Sequence, residues 1–443
     1  MMTDISTLYS IFEKHRSVTT DSRQCRQGDI FFALKGDNFD GNRYAKTALD
    51  AGCAYAVIDD AAVADPDDSR YIVVDNVLLA LQQLARHHRR TLATPVVGIT
   101  GSNGKTTTKE LTAAVLQSKY RVLYTEGNLN NSIGVPLTLL RLTADHDIAI
   151  VEMGASHPGD IKELVEISEP DCGIITNVGR AHMLGFGSFE GVVNTKGELY
   201  DFLSTKQGGV VFVDADNKWL TDKASAAGLP TERYAVDSQA RTDCVTGQVT
   251  CCDPMLSFVW REPLKDEGNV EEMAVKTQLI GTYNLPNMLA AITIGLHFGV
   301  GKKEICHALE QYVPRNNRSQ LMETALNHLV VDAYNANPTS MKAALENFKQ
   351  MAVPAKMAIL GQMNELGEVS QTEHQALVDR AAEAGLDEVW LVGNEFKKVK
   401  TAFPIFENVD EVIASLSSDM PQGRYILIKG SNSIRLSKLT SYL

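Results

Sequence analysis

The 443-residue chain reads as an α/β protein of three domains: a small α/β domain over 1–92, a central P-loop domain with a mostly parallel sheet over 93–313, and a Rossmann-like domain over 314–443. Three observations predict this. Short apolar runs alternate with helix-period stretches along most of the chain, the pattern of parallel strands joined by crossover helices. The length exceeds what one hydrophobic core supports. One stretch, Val96-Val-Gly-Ile-Thr-Gly-Ser-Asn-Gly-Lys-Thr-Thr-Thr108, passes from an apolar strand through a glycine-bearing turn into a helix.

That stretch has the layout of a phosphate cradle. Gly101 and Gly104 leave room for the N–H groups of Gly101, Ser102, Asn103, Gly104, Lys105, Thr106 and Thr107 to face an anion. The helix that follows offers its unpaired N–H groups and positive dipole end, and Lys105 adds a mobile charge. Thr106 is in place to put a hydroxyl on Mg²⁺. The loop is a variant, Thr-Gly-x-x-Gly-Lys-Thr, because Ile99 stands where the strict pattern has glycine. Leu111, Ala114 and Val115 keep helical spacing behind it. A plain glycine turn would leave Lys105 and three successive threonines without a reason.

In the first domain, a buried strand from Ile30 to Leu34 sits between loops rich in hydroxyl, Arg, Gly and Asn, among them Asp21-Ser22-Arg23. Such loops suit a uridine or a diphosphate, and ordinary turn chemistry explains them equally well. The central domain has strands near 96–100, 148–152, 172–178 and 208–214. Ligands of such sheets gather beyond the carboxyl ends of the strands. Glu152 and Asp214 both end strands there and compete as magnesium carboxylates. Residues 240–280 alternate in short runs, Cys244 to Cys251, Leu256 to Trp260 and Ala274 to Leu279, and predict an antiparallel patch inserted against the main sheet. Asn284 and Asn287 open the next helix, as partners for a purine edge or as helix caps.

Val313-Pro-Arg-Asn-Asn-Arg318 reads as a linker. Beyond it, strands at His328 to Asp332, Lys356 to Gly361, Glu388 to Val392 and Arg424 to Lys429 alternate with helices. No G-x-G-x-x-G fingerprint follows any of them, so no dinucleotide cofactor is expected. Their polar ends, Asp332-Ala-Tyr-Asn-Ala-Asn-Pro338 and Lys429-Gly-Ser431, suit a second wall for a nucleotide or an anionic substrate.

Composition excludes several classes. A formal net charge of -13 repels polyanions, and no basic face offsets it, so a nucleic-acid partner is not expected. Seven cysteines without a C-x-x-C pair predict reduced thiols rather than a disulfide frame or a zinc site. An acidic start, Met-Met-Thr-Asp4, and the lack of a membrane-length apolar run predict no signal peptide, no membrane insertion and a cytoplasmic protein, expected as a monomer.

The cradle variant, Glu152, Asn284 with Asn287, Arg318 and Asp332, in this order, resemble the Mur ligases, ATP-dependent amide ligases of peptidoglycan precursor synthesis. The resemblance runs almost the whole chain, through Asp21-Ser-Arg23, Gly127-Asn-Leu-Asn-Asn-Ser-Ile-Gly134, Ala181-His182, Thr195-Lys-Gly-Glu198, Asp332 to Met341 and Lys429-Gly-Ser431. The Asp-x-Tyr-Asn-Ala-Asn-Pro form resembles the members that add D-alanyl-D-alanine rather than a single amino acid. The chain departs from the pattern at Tyr283 (His is usual), Leu184 (Glu), Asn317 (Gly), Gln362 and Asn364.

The resemblance implies ATP and Mg²⁺ as cofactors, with a UDP-N-acetylmuramoyl tripeptide and D-alanyl-D-alanine as substrates. It implies that Gly101 to Thr107 hold the phosphates, with Lys105 on the β/γ oxygens, and that Thr106 and Glu152 bind one Mg²⁺. His182 and Lys196 would serve a second, Lys196 as the carbamate formed with CO₂, which requires a neutral amine. Lys105, Lys196 and His182 form the implied catalytic set. Asn284 and Asn287 would face adenine, Arg318 the phosphates and Asp332 the ribose, with Ser22, Arg23, Asn130, Asn131, Asn335 and Lys429 on the substrate. The rival readings are a sibling ligase adding one amino acid, a P-loop switch, and a binding module that holds nucleotide without turnover. Against the switch, Asn217-Lys218 is followed by Trp219-Leu220 rather than completing an Asn-Lys-x-Asp base reader.

Overall fold

The structure, a computed structural model, describes residues 4–179, 182–236, 241–263, 271–315, 318–418 and 420–443. Asn317, Asn316 of the expected linker, and Ala181 beside His182 lie outside them. Among the described residues three large sheets carry the chain, with a short two-stranded pairing of Lys35–Gly36 and Phe39–Asp40 beside the first. The first is four-stranded and parallel, in the order Val18–Thr19, Ile30–Phe32, Tyr55–Ile58, Tyr71–Val73. The helix Val77–Leu92 that follows is apolar on one face, and that face shares a core with Val96, Leu139, Ile161 and Leu164 of the next sheet's layer.

The second sheet has nine strands. Read across, they are Met273–Ile280, Met255–Arg261, Val245–Cys252, Thr231–Val236, Val210–Asp214, Cys172–Ile175, Val96–Thr100, Ile148–Glu152 and Val122–Tyr124. Val96–Thr100 is buried along its whole length, as a parallel strand covered by helices on both faces must be. The chain winds outward from it in both directions, which makes its carboxyl end the switch point where a crevice opens.

The segment over 240–280 corrects an expectation. It is not an insertion lying against the main sheet but a continuation of it. Thr231–Val236, a strand the sequence pattern does not announce, pairs in parallel with Val210–Asp214 on one side and Val245–Cys252 on the other. Two antiparallel pairings then extend the edge. In-plane pairing satisfies the backbone groups that a patch stacked face to face would leave open at its own edge. The strand over 172–178 is also shorter than expected. It ends at Ile175, because Thr176 and Asn177 turn their side chains into the cradle.

The third sheet, six strands, runs Gln320–Glu323, His328–Asp332, Tyr425–Lys429, Lys356–Gly361, Glu388–Val392, Ile405–Phe406. Only the first is antiparallel, a hairpin edge that the alternation of strand and helix does not reveal. Cores of opposite helix layers cover its two faces, one around Phe348, Leu377 and Phe396, the other around Val412, Leu436 and Leu439. All seven cysteines are free thiols. Among the described residues no helix is long and apolar enough to cross a membrane.

Asp214, one of the two candidate magnesium carboxylates, points elsewhere. It is half-buried beside Tyr200 and Tyr234, and desolvation there pushes its carboxyl up to about 6. The folded chain therefore keeps this proton up to about pH 6, while the unfolded chain releases it near pH 4. Stability is lost as pH rises between those values, and the penalty is complete above them. Asp214→Asn keeps the acceptor for the Asp216 N–H, 3.0 Å away, and cannot ionise. Its melting temperature should match the parent near pH 4 and exceed it at pH 7.5, by the equivalent of up to about 3 kcal/mol. An equal offset at both pH values would refute the assignment.

Candidate functional site

A cleft of about 740 Å³ opens at the carboxyl end of Val96–Thr100. Its floor is the cradle. Gly101 (φ 141°) and Gly104 (φ 77°) take backbone conformations that L side chains resist. A Cβ on Gly101 would collide with Thr176 Oγ1, and one on Gly104 with the Asn287 side chain. The loop between them is stitched to the neighbouring strand end. Asn103 N–H donates to Asn177 Oδ1 (3.0 Å), while Thr176 Oγ1 and Asn177 Nδ2 donate to Asn103 O at 2.6 and 3.0 Å. Ser102 Oγ donates to Gly179 O and accepts its N–H. The anion pocket is thus rigid before any anion arrives.

Lys105 starts the helix Lys105–Gln117, and its Nζ folds back to donate to Gly101 O at 2.7 Å. Burial pushes its pKa down, an effect the Glu152 carboxylate opposes and Arg318 reinforces. Phosphate oxyanions in the cradle would reverse that shift, so the site stores an unmet demand for negative charge.

Glu152 sits on the strand next to the cradle strand, in register with Ile99, and is buried. Its Oε1 accepts from Asn130 Nδ2 (2.8 Å) and Thr106 Oγ1 (3.2 Å), while Oε2 is buried without a hydrogen-bond partner. A hydroxyl and a carboxylate oxygen left open at one point fit a hard divalent cation such as Mg²⁺. The residue that the sequence reading passes over is Lys109. One turn beyond Lys105 and fully buried, it donates to Thr125 O at 2.5 Å, pairs with Glu110 at 2.9 Å, and lies 4.0 Å from Glu152 Oε2. The i, i+4 spacing from Lys105 is the signal that could have found it.

Lys196, on the helix Phe189–Ser204, lies behind Ala155 of the cleft wall, donating to its carbonyl at 3.4 Å. Burial first and the Lys105 charge second hold its pKa well below the usual lysine range. A neutral amine at this position meets the requirement for carbamate formation. His182 lines the cleft, its Nδ1 against the Glu365 carboxylate of the third sheet's layer, and burial pushes its pKa down. A neutral imidazole keeps one of its two ring nitrogens as a lone pair.

The far wall comes from the third sheet. Asp332 and Lys429 are in-register neighbours at strand ends, and Lys429 Nζ donates to Asp332 Oδ2 at 2.6 Å. Arg318 stacks on the Tyr334 ring at 3.8 Å. Asn284 and Asn287 line the cleft, but much of their amide capacity is spent: Asn287 Nδ2 donates to Asn284 Oδ1 (3.0 Å), Asn284 Nδ2 to Ile280 O (2.8 Å), and Thr108 Oγ1 to Asn287 Oδ1 (3.1 Å). Tyr283, where the family pattern has His, meets Ser319 Oγ at 3.1 Å and so joins the two walls.

The cleft gathers Ser102 to Thr107, Asn130, Asn131, Glu152, His182, Asn284, Asn287, Arg318, Asp332, Asn335 and Lys429. Ser22 and Arg23 are not part of this lining; the Arg23 guanidinium is exposed and paired with Asp21 at 2.8 Å.

Three family models cover most of the chain: the Mur ligase catalytic domain at residues 14–89, the Mur ligase middle domain at 99–295, and the Mur ligase glutamate ligase domain at 317–432. A Bacillus subtilis relative, a UDP-N-acetylmuramoyl-tripeptide--D-alanyl-D-alanine ligase, is 33% identical over 96% of this chain and 92% of its own. The chain belongs to the Mur ligase family. The Escherichia coli ligase of the same name is also 33% identical, over 96% of this chain and 93% of its own. Among solved structures, this Mur ligase is similar to MurF from Acinetobacter baumannii (TM-score 0.83, 31% identity, 96% of this chain and 93% of that one). It is likewise similar to MurF ligase from Thermotoga maritima in complex with ADP (TM-score 0.82, 26% identity, 99% and 98%).

Proposed function

We propose that this Mur ligase is an ATP-dependent amide ligase that joins D-alanyl-D-alanine to a UDP-N-acetylmuramoyl tripeptide, forming ADP and phosphate, in cytoplasmic synthesis of peptidoglycan precursors. The observation that carries the reading is the meeting, in one cleft, of a rigid phosphate cradle and a buried carboxylate with an open oxygen, backed by desolvated Lys196 behind the wall and faced by Arg318, Asp332 and Lys429. Curated relatives of the same activity along almost the whole chain support the choice of substrates.

A carboxylate is a poor electrophile, because oxide would have to leave. Transfer of the ATP γ-phosphoryl group to the tripeptide carboxylate gives an acyl phosphate; the dipeptide amine then attacks its carbonyl, and phosphate departs. Catalysis is chiefly positioning and charge neutralisation. The cradle N–H groups and Lys105 hold the β- and γ-phosphates, and Arg318 reaches the phosphates from the far wall. Asp332 takes the ribose once Lys429 yields it, and Asn284 and Asn287 flank the adenine with their remaining N–H groups. Thr106 and Glu152 would hold one Mg²⁺, and His182 with a carbamate on Lys196 would hold a second; such ions would supply neutralisation of the charge that builds up in phosphoryl transfer. Asn130 and Lys109 keep Glu152 in place. Residues 1–92, with Ser22 and Arg23, hold the UDP end of the substrate, residues 93–313 the ATP, and residues 314–443 the incoming dipeptide with Asn335 and Lys429.

The test is an ADP-release screen with Mg·ATP and the UDP-linked tripeptide, offering D-alanyl-D-alanine or single amino acids in turn. Turnover is expected with the dipeptide. Turnover with single amino acids alone would establish the sibling activity, and phosphate release independent of any amine would establish a switch.

A further inference from the structure

We infer that Asn337 is a positioning residue that ties the third domain's wall to the phosphate cradle, and that its side-chain amide does this with the end not used to cap its own helix. The inference rests on the ligase reading above. Asn337 is the N-cap of the helix Pro338–Gln350: its Oδ1 accepts the Ser340 N–H at 2.9 Å, and its own N–H donates to Ser340 Oγ at 3.1 Å. That capping box fixes which way round the amide lies, since only oxygen can accept from an N–H. The Nδ2 end is thereby turned outward, where it donates to Asn103 Oδ1 at 2.7 Å, across 234 positions of sequence.

The partner is equally fixed. Asn103 N–H and C=O are both held by Thr176 and Asn177, so its side-chain oxygen stands at a set height above the cradle. Asn337 in turn closes the loop that begins at Asp332 and includes Tyr334, on which Arg318 stacks. Asn337 is buried, at 7% exposure, and Asn103 is half-buried. The other cross-wall hydrogen bonds among the described residues lie elsewhere. Tyr283 to Ser319, Ile280 N–H to Ser319 O (3.5 Å), and Thr282 N–H (3.3 Å) and Cys252 Sγ (3.7 Å) to Asn347 Oδ1 join the walls around the start of the helix Leu285–His297, and His182 meets Glu365 at the cleft's rim. The Asn103–Asn337 bond is the one made on the phosphate loop itself. It sets the spacing between Lys105 on one wall and Asp332 and Arg318 on the other. Each wall keeps its own contacts to nucleotide without it, so binding survives its loss better than the step that needs both walls at once.

Asn337→Ser is the discriminating variant. Serine caps a helix as well as asparagine, but its side chain ends a bond short of Asn103. With the full-length chain, kcat for ADP release should fall about five- to tenfold, the scale of one lost positioned hydrogen bond. KM for ATP should stay within about twofold, because each wall keeps its own nucleotide contacts, and the melting temperature should be unchanged. Asn103→Ala should reproduce the kcat loss, and the double variant should be no slower than the slower single one. Small-angle scattering with Mg·ATP should show a larger maximum dimension for Asn337→Ser than for the parent, a readout that does not depend on turnover. A parental kcat in Asn337→Ser, additive losses in the double variant, or identical scattering profiles would overturn the assignment. Failure of the parent to turn over D-alanyl-D-alanine would instead remove the proposed function, leaving the scattering comparison to decide the tie.

Discussion

Lys105→Met should abolish ligation while leaving the fold as stable as before, or more so. The two halves of that expectation come from one fact: the ammonium is buried in a cradle built for an anion. It donates to Gly101 O at 2.7 Å and Ser102 O at 3.5 Å, neutral carbonyls that repay little of the desolvation. Methionine fills nearly the same volume without the charge. Loss of activity should be about a thousandfold or more in kcat/KM, as for removal of a preorganised charge aimed at a transition state. The sign of the stability effect follows from the lowered pKa. Between the folded and the ordinary lysine value the unfolded chain binds the extra proton, so parental stability rises with pH across that window. The melting-temperature advantage of Lys105→Met should therefore be greatest near neutral pH and shrink toward pH 10. Retained activity, or a large drop in melting temperature with partial activity, would mean that Lys105 is structural.

The second large effect is expected from Glu152→Gln, and here stability and activity should fall together. The amide keeps the shape and can still meet Thr106 and Asn130, yet it removes the anion beside buried Lys109. Lys109 retains Glu110, so the destabilisation should stay below the ~3–5 kcal/mol seen when a buried pair is fully broken. Activity should fall by about two to three orders of magnitude, and the Mg²⁺ concentration for half-maximal rate should rise at least about tenfold. An independent readout is direct titration of the nucleotide-free protein with Mn²⁺ followed by electron paramagnetic resonance, which should show weaker binding. An unchanged Mg²⁺ requirement would remove Glu152 from the metal site. The contrast between the two variants separates a residue held against its own solvation from one embedded in a charge network.

Much of this was readable from the chain. Gly101, Gly104, Lys105 and Thr106 declare the cradle because its geometry is local: a strand, a positive-φ turn and a helix start within a dozen residues. Strand ends such as Glu152 and Asp332 could be placed because apolar runs fix where a buried strand stops. Local pattern could not choose between Glu152 and Asp214, since both are acids ending apolar strands, and only strand order puts one on the strand beside the cradle strand and the other two strands away on the opposite side. Nor could it find Thr231–Val236, a parallel strand slotted between Val210–Asp214 and Val245–Cys252, or Gln320–Glu323, a hairpin edge, because both are fixed by pairing within a sheet.

By itself, then, the sequence determined the three α/β units, the anion loop and the family, because each is written in short-range periodicity or contiguous motif. Tertiary structure alone decided which acid meets Thr106, that Lys109 stands under it, that Lys196 loses its water, and that Asn337 touches Asn103. Those facts depend on burial and on contacts between residues tens to hundreds of positions apart. Neither is a property of any local stretch of chain.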